Sequence, residues 1–370
     1  MLKLRRGTVI SEDPLEVEVE GERRTAWADV ALVGETKLGD EVIVNVEALD
    51  LGLGSGGYDV VHVNLSRGLE GAGVPAEHVM KLNYTSLQHP VSPIELMSGA
   101  AAPVGKTSGE RRERDRAEDG PGAKALAPVL VVPLHGHLAP VAWAAKQVEP
   151  GLRLGFVQTI GGALPGPLSR DIRLLSERGL IDGWITAGAA YGGEHESISL
   201  AGALDAAVQT LEWDGAIVGP GPGIIGSESR YGHGGMAALE SAHTALALGH
   251  PTLLAPRLSS GDPRSRHRGL SHHTATVLEL LLMAVSVPIP DPAIGTGNPV
   301  YAETSAEAVQ EIESLCGQQH KVLIEPADIS GYSSSGLPAS SMGRDLDEDP
   351  LFFAAALAAG RALGGAAALA

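Results

Sequence analysis

Two polarity patterns divide the chain. Near its start, Leu15-Glu16-Val17-Glu18-Val19-Glu20 alternates apolar and acidic positions, the period-two mark of a strand with one wet face. Turn signals at Gly21, at Gly39-Asp40 and at Gly54-Ser55-Gly56-Gly57 set off further short strands over 41–46 and 58–63. Strands this short and evenly spaced predict a small β-barrel over residues 1–66, of the oligosaccharide/oligonucleotide-binding (OB) or SH3 type. From residue 127 the rhythm changes. Segments 128–134, 152–159, 183–186, 215–218, 252–255 and 321–324 are apolar throughout rather than alternating, as in strands covered on both faces. Helical patterns separate most of them, over 140–148, 169–178, 199–211, 235–248 and 272–285. The alternation predicts an α/β fold over 127–350, a doubly wound, mostly parallel, Rossmann-like sheet with helices on both faces. Residues 351–370 read as a C-terminal helix and tail. Residues 67–126 connect the two parts, and within them 105–125 is charge followed by turn residues, a flexible insertion with nothing to bury.

Length and composition agree with two domains. The chain has 370 residues, 44% of them hydrophobic and only 4% aromatic, so Ala, Val, Leu and Ile must build the core. A net charge of −18 argues against binding nucleic acid or an anionic membrane through overall charge. The single Cys316 permits no intrachain disulfide, and no apolar stretch follows the basic residues near Met1 as a signal peptide would require. The expectation is a cytoplasmic protein without a membrane span, with homo-oligomerisation left open.

The chemistry should lie where the parallel strands end at their carboxyl side. His135-Gly136-His137 follows the first strand, and His195 lies beyond the third. Read in extended backbone, His135 and His137 turn their rings to one side and suggest a metal pair that His195, Glu194, Glu196 or His233 could complete. After the fourth strand, Gly219 leads into Gly221-Pro222-Gly223-Ile224-Ile225-Gly226, a G-x-G-x-x-G match followed by Arg230 and His233. The helical pattern opens several residues later than a dinucleotide site needs, so NADP ranks below a divalent metal as a cofactor. After the fifth strand, Arg257, Arg264, Arg266 and Arg268 face one acid, Asp262, with His267 among them. Ser271 reads as the N-cap of the next helix, which begins His272-His273. Guanidinium forks and a helix N-terminus both favour an anion. The same dipole opposes a proton on His272 or His273 and keeps an imidazole neutral for acid–base work. There is no G-x-S-x-G elbow and no Walker A motif.

Taken together, 219–226 with Arg230, His233 and Gly234, then Asp262, Arg264, His267 and Ser271-His272-His273-Thr274, then Ser341-Met342-Gly343-Arg344, resemble a bacterial family named Domain of Unknown Function 3866. The resemblance extends over nearly the whole chain, apart from the 105–125 insertion, and implies no catalytic assignment. The residues themselves point first to a hydrolase or group transferase acting on a small anionic, phosphorylated metabolite. Gly219, Gly221, Gly223, Gly226, Arg230, Arg257, Asp262, Arg264, Arg266 and His267 would bind it, and His233, His272 or His273 would move protons. An NADP-dependent oxidoreductase and a non-catalytic metabolite sensor are the alternatives.

Overall fold

The computed structural model describes residues 1–53, 55–71, 79–97, 126–292 and 299–369, and the chain forms two compact units, Met1–Ser92 and Pro93–Ala370. The charged segment at 105–125 lies outside the described residues.

In the first unit, β1 (Leu4–Glu12), β2 (Leu15–Val19), β3 (Glu22–Trp27), β4 (Glu41–Asn45) and β5 (Asp59–Asn64) close a barrel in the order β1-β2-β3-β5-β4. The β3–β5 pair is parallel and the other pairs are antiparallel, so the connectivity is not a simple meander. The alternation read from the sequence is realised here. Val9, Val17, Val19, Val42, Val44 and Val61 fill the interior, while Glu18 and Glu20, on either side of Val19, face out. Arg24 grips the buried Asp59 carboxylate with two N–H groups (2.5 and 3.2 Å) and donates to Asp50 at 2.7 Å, tying β3 to β5. A hairpin of β6 (Val79–Lys81) and β7 (His89–Val91) completes the described part of this unit.

The second unit is built on an eight-stranded parallel sheet. Its members are β8 (Val129–Val131), β9 (Leu154–Thr159), β10 (Gly183–Ala187), β11 (His195–Ser197), β12 (Gly215–Pro220), β13 (Thr252–Leu254), β16 (Ser286–Pro290) and β17 (Lys321–Glu325). They lie in the order β11-β10-β9-β12-β8-β13-β16-β17. Successive side chains of the central strands enter opposite cores, as the pleat requires. Val129 and Val131 join one cluster and Leu130 the other; Ala216 and Val218 join the first and Ile217 the second. Helices Leu200–Gln209, Ala237–Leu248, His272–Leu280 and Pro299–Cys316 cover the first face. Helices Leu138–Val148, Arg170–Glu177, Ile329–Ser333 and most of Pro350–Ala367 cover the second. Pro350–Ala367 has the length and apolar character of a membrane span, but 78% of its apolar window is buried inside the unit. It is a core helix of the α/β layer.

Two strands differ from expectation. The helical pattern at 272–285 ends at Leu280, and the chain then enters β16, a strand with Pro288 and Pro290 that does not read as one. Prolines two residues apart withhold their N–H groups toward the same neighbour. The ladder reflects this: β16 pairs with β17 over five residues but with β13 only at Leu253 and Ser286. The short β11 falls in a stretch that reads as loop and adds the sheet's edge.

Candidate functional site

β8 sits between β12 and β13. The connection leaving β8 runs through Leu138–Val148 on the second face, while those leaving β12 and β13 run through Ala237–Leu248 and His272–Leu280 on the first. Connections departing on opposite faces leave a crevice at the carboxyl ends of the strands between them. A cavity of about 760 Å³ opens there, within the usual range of roughly 300–1,000 Å³ for small-molecule sites. His135, 222–227, Arg257, Arg264, Arg266, His267 and His273 line it, together with Asp171, Ser341, Met342 and Arg344.

One wall is an arginine cluster around a buried carboxylate. Arg264 donates to Asp262 through Nε (2.9 Å) and Nη2 (2.8 Å), and Nη2 groups of Arg257 and Arg344 reach Oδ2 at 3.2 and 3.4 Å. Arg344 Nε also donates to Asp349 (3.1 Å), whose carboxylate accepts from the Ser259 hydroxyl and from the Ser260 and Gly261 N–H groups. Burial alone would raise the Asp262 pKa, but the hydrogen bonds from Arg264 and the charges of Arg264 and Arg344 hold it far below the usual carboxylate range. Burial lowers Arg257 to about 10, so it stays charged at neutral pH, and its Nε is buried without a partner. Three guanidinium groups thus share two carboxylates. Arg266 adds a fourth cation, paired at 3.0 Å with the exposed Glu228.

The adjoining wall carries His267 and His273, which belong to a cluster of four imidazoles whose other two members, His233 and His272, are not among the cavity-lining residues. Ser271 caps its helix by accepting from His273 N, and its hydroxyl shares a 2.7 Å hydrogen bond with His267 Nδ1. The His233 ring lies 3.6 Å from His273, nearly parallel to it at 9°, and His272 stands 4.4 Å from His273 and 5.0 Å from His267. His233 Nε2 donates to the Arg230 carbonyl at 3.0 Å, which leaves the lone pair on Nδ1. That Nδ1 and His272 Nε2 are buried without partners. All four rings are held neutral. Burial is the leading cause for each, and neighbouring cations oppose a further proton: His267 falls to about 3, His273 to about 2, and His233 and His272 shift the same way.

Across the cleft, His135 Nδ1 donates to the Pro220 carbonyl (3.0 Å), and its Nε2 accepts from the Ser169 hydroxyl (2.7 Å). Ser169 also caps helix Arg170–Glu177, accepting from Ile172 N. Asp171, in the first turn of that helix, is raised by burial, and His135 partly offsets the shift. Asp171 is a cleft residue that the sequence reading missed, its only signal the cap at Ser169, whereas Ser341, Met342 and Arg344 stood there only as marks of the family resemblance and not as binding residues.

Several expected roles require correction. His135 and His137 lie in a 3-10 turn rather than an extended strand, so their rings diverge. His137 is fully buried against Phe352 (4.6 Å), with neither nitrogen partnered, and burial lowers it to about 3. His195 lies on the edge strand β11, and among the described residues the histidines that converge are instead His233, His272 and His273. Gly219 and Gly221 pack against Val132 and the Ala163 carbonyl and are not among the cavity-lining residues, whereas Gly223 and Gly226 line it. Arg230 pairs with Glu279 on the exposed surface and does not line the cavity.

A small barrel joined in sequence to a doubly wound α/β unit, with an arginine- and histidine-walled crevice at its topological switch, defines the class of protein. The chain belongs to the family described as Protein of unknown function (DUF3866), whose model matches residues 25–360. No curated protein and no solved structure matches the chain.

Proposed function

We propose that the chain is a cytoplasmic enzyme that binds a small anionic, phosphorylated metabolite in this crevice and carries out hydrolysis or group transfer. The carrying observation is the excess of positive charge at Asp262. Arg257, Arg264 and Arg344 outnumber the carboxylates that hold them, beside a cavity of metabolite size. Bidentate guanidinium groups match the geometry of phosphate and are worth more in a partly buried site than in water. Proton transfer falls most naturally to Asp171, whose raised carboxyl moves toward the range useful for an acid at neutral pH. The imidazoles, all shifted downward by burial, are better suited to offer lone pairs than protons. Two of the stretches that carry the family resemblance fall here: Ser341, Met342 and Arg344 line the cleft, and Thr274 Oγ1 accepts from the Arg257 N–H. The glycine loop supports a dinucleotide less well, because the helix after it begins only at Ala237. The single Cys316, free and buried, is the support for a reducing compartment.

The test is a panel of phosphomonoesters, phosphodiesters and carboxylate esters, with thermal shift measured in parallel. Turnover of at least one class is expected, with KM raised in Arg264→Gln and Arg344→Gln. Stabilisation without turnover would make the chain a sensor. Neither turnover nor stabilisation by any phosphorylated compound or by inorganic phosphate would overturn the reading.

A further inference from the structure

We propose that His233, His272 and His273 hold one divalent transition-metal ion of the zinc class, and that its open position takes an oxygen of the anion gripped by the arginines. One ring nitrogen from each of the three lies within 4.8 Å of the others. Three neutral nitrogen ligands with one open position is the arrangement of catalytic zinc sites. Imidazole donors select zinc, cobalt, nickel or copper over magnesium and calcium.

The hydrogen bonds already assign part of the donor set. Because His233 Nε2–H is spent on the Arg230 carbonyl, Nδ1 faces inward with its lone pair free, and a backbone carbonyl behind a ligating imidazole is the usual orienting partner. His272 Nε2 is likewise buried without a partner. A Cβ placed on Gly235 would lie 3.0 Å from His233 Nδ1 and 3.4 Å from His273 Nδ1, so the absence of a side chain there leaves these two nitrogens room. Nitrogens sharing one zinc at about 2.0–2.1 Å stand roughly 3.3 Å apart. The trio must therefore close slightly, and the parallel His233 and His273 rings must splay so that each points its lone pair at the ion.

Arg257, Arg264 and Arg266 raise the cost of a bare dication beside them. An anion bridging metal and guanidinium groups relieves both, so the bridging part of the proposal rests on the anion-binding reading while metal binding itself does not.

The experiment uses metal-stripped full-length protein titrated with Co²⁺, followed by visible absorption and calorimetry, without and with inorganic phosphate. Expected are one equivalent bound with the intense bands of a four- or five-coordinate ion, affinity weakened at least tenfold in His233→Ala and His273→Ala, and unchanged stoichiometry in His62→Ala on the barrel. Gly235→Ala, which adds one methyl group beside the two nitrogens, gives a second variant whose fold is checked by circular dichroism, and it should weaken Co²⁺ likewise. Absence of saturable one-equivalent binding, with or without phosphate, overturns the metal site, as does equal affinity in all variants. Binding that phosphate does not tighten overturns the bridge alone. Lack of turnover with Co²⁺ binding intact counts against the enzyme reading only.

Discussion

Replacing Asp262 with Asn tests the organisation of the cleft most directly. The substitution keeps the size of the side chain and removes the charge that three guanidinium groups share. Arg264 is 44% exposed, so water takes over much of its loss, worth about 1 kcal/mol or less. Arg344 keeps Asp349. Arg257 has neither recourse: its side chain is 4% exposed and Asp262 is its carboxylate partner. Breaking a buried pair by removing one member costs about 3–5 kcal/mol. For a unit of this size that corresponds to a fall in Tm of roughly 6–20 °C. The Asp262 carboxyl is depressed, so its stabilisation is present above the unfolded-state value near about 3.9 and is lost only as pH falls through the much lower folded value. The cost of the variant is therefore constant from pH 5 to 8. Urea denaturation followed by circular dichroism measures it. Phosphate then supplies the sharper comparison. In the variant an added anion replaces the missing carboxylate and binds more tightly, so a given phosphate concentration should stabilise it more than the wild type, and a hundredfold excess over the variant's own Kd is worth about 2.7 kcal/mol. A loss under about 1 kcal/mol, or equal phosphate shifts in the two proteins, would refute the reasoning.

Acid should destabilise the protein through its histidines. His137 and His267 titrate at about 3 when folded and near about 6.5 when unfolded, so between these values the unfolded chain binds more protons and stability rises with pH up to about 6.5. Urea midpoints are expected to be flat above pH 7 and to fall from pH 6.5 to 5, less steeply in His267→Gln; a flat profile down to pH 5 would contradict this. Gly234→Ala places a Cβ 1.9 Å from the Gly161 carbonyl oxygen, which forces the loop ahead of His233 away from the β9 turn. A loss of about 1–3 kcal/mol and a smaller phosphate shift are expected in thermal denaturation, and an unchanged Tm would show that the loop yields freely. Millimolar NADPH should stabilise the wild type no more than inorganic phosphate does, since no helix opens within 221–226 to receive a pyrophosphate.

The parts of this fold legible in the sequence are those whose burial is uniform. Val129–Val131 is covered on both faces and reads as an unbroken apolar run. Ser169, Ser199 and Ser271 each cap the helix that the sequence pattern starts at them, because capping is a contact between near neighbours. β16 was hidden because Pro288 and Pro290 argue against a ladder that its neighbour on one side does not need. In the site, local clustering made Arg264, His272 and His273 visible. What they touch was not visible: Arg344 reaches Asp262 from 82 positions away and Asp171 faces the cleft from the first turn of another helix, pairings that only the folded sheet creates. The histidine pair at 135 and 137 misled for the opposite reason. Its spacing was clear, but a 3-10 turn sends one ring to Ser169 and the other to Phe352.

Both chemistries of the cleft come largely from one segment folded on itself. β14 (Leu258–Ser259) pairs with β15 (Gly269–Leu270), so the loop between them starts and ends at the same place. At that point the Arg257 carbonyl accepts from Ser271 N at 3.0 Å, and the Arg257 N–H donates to Thr274 Oγ1 at 2.9 Å. The arginine that anchors Asp262 is thus tied through its backbone to the helix start that carries His272 and His273. Asp262 and Arg264 lie within the loop, and His267 bonds back to Ser271. An anion that pulls on Arg264 therefore acts on a loop whose two ends hold the imidazoles in place, and a change at the imidazoles returns through the same backbone bonds. Coupling between anion and histidine sites follows from this hairpin without any movement of the sheet. It would appear as a weaker phosphate response in Thr274→Val, a variant that leaves every guanidinium group and every imidazole in the chain.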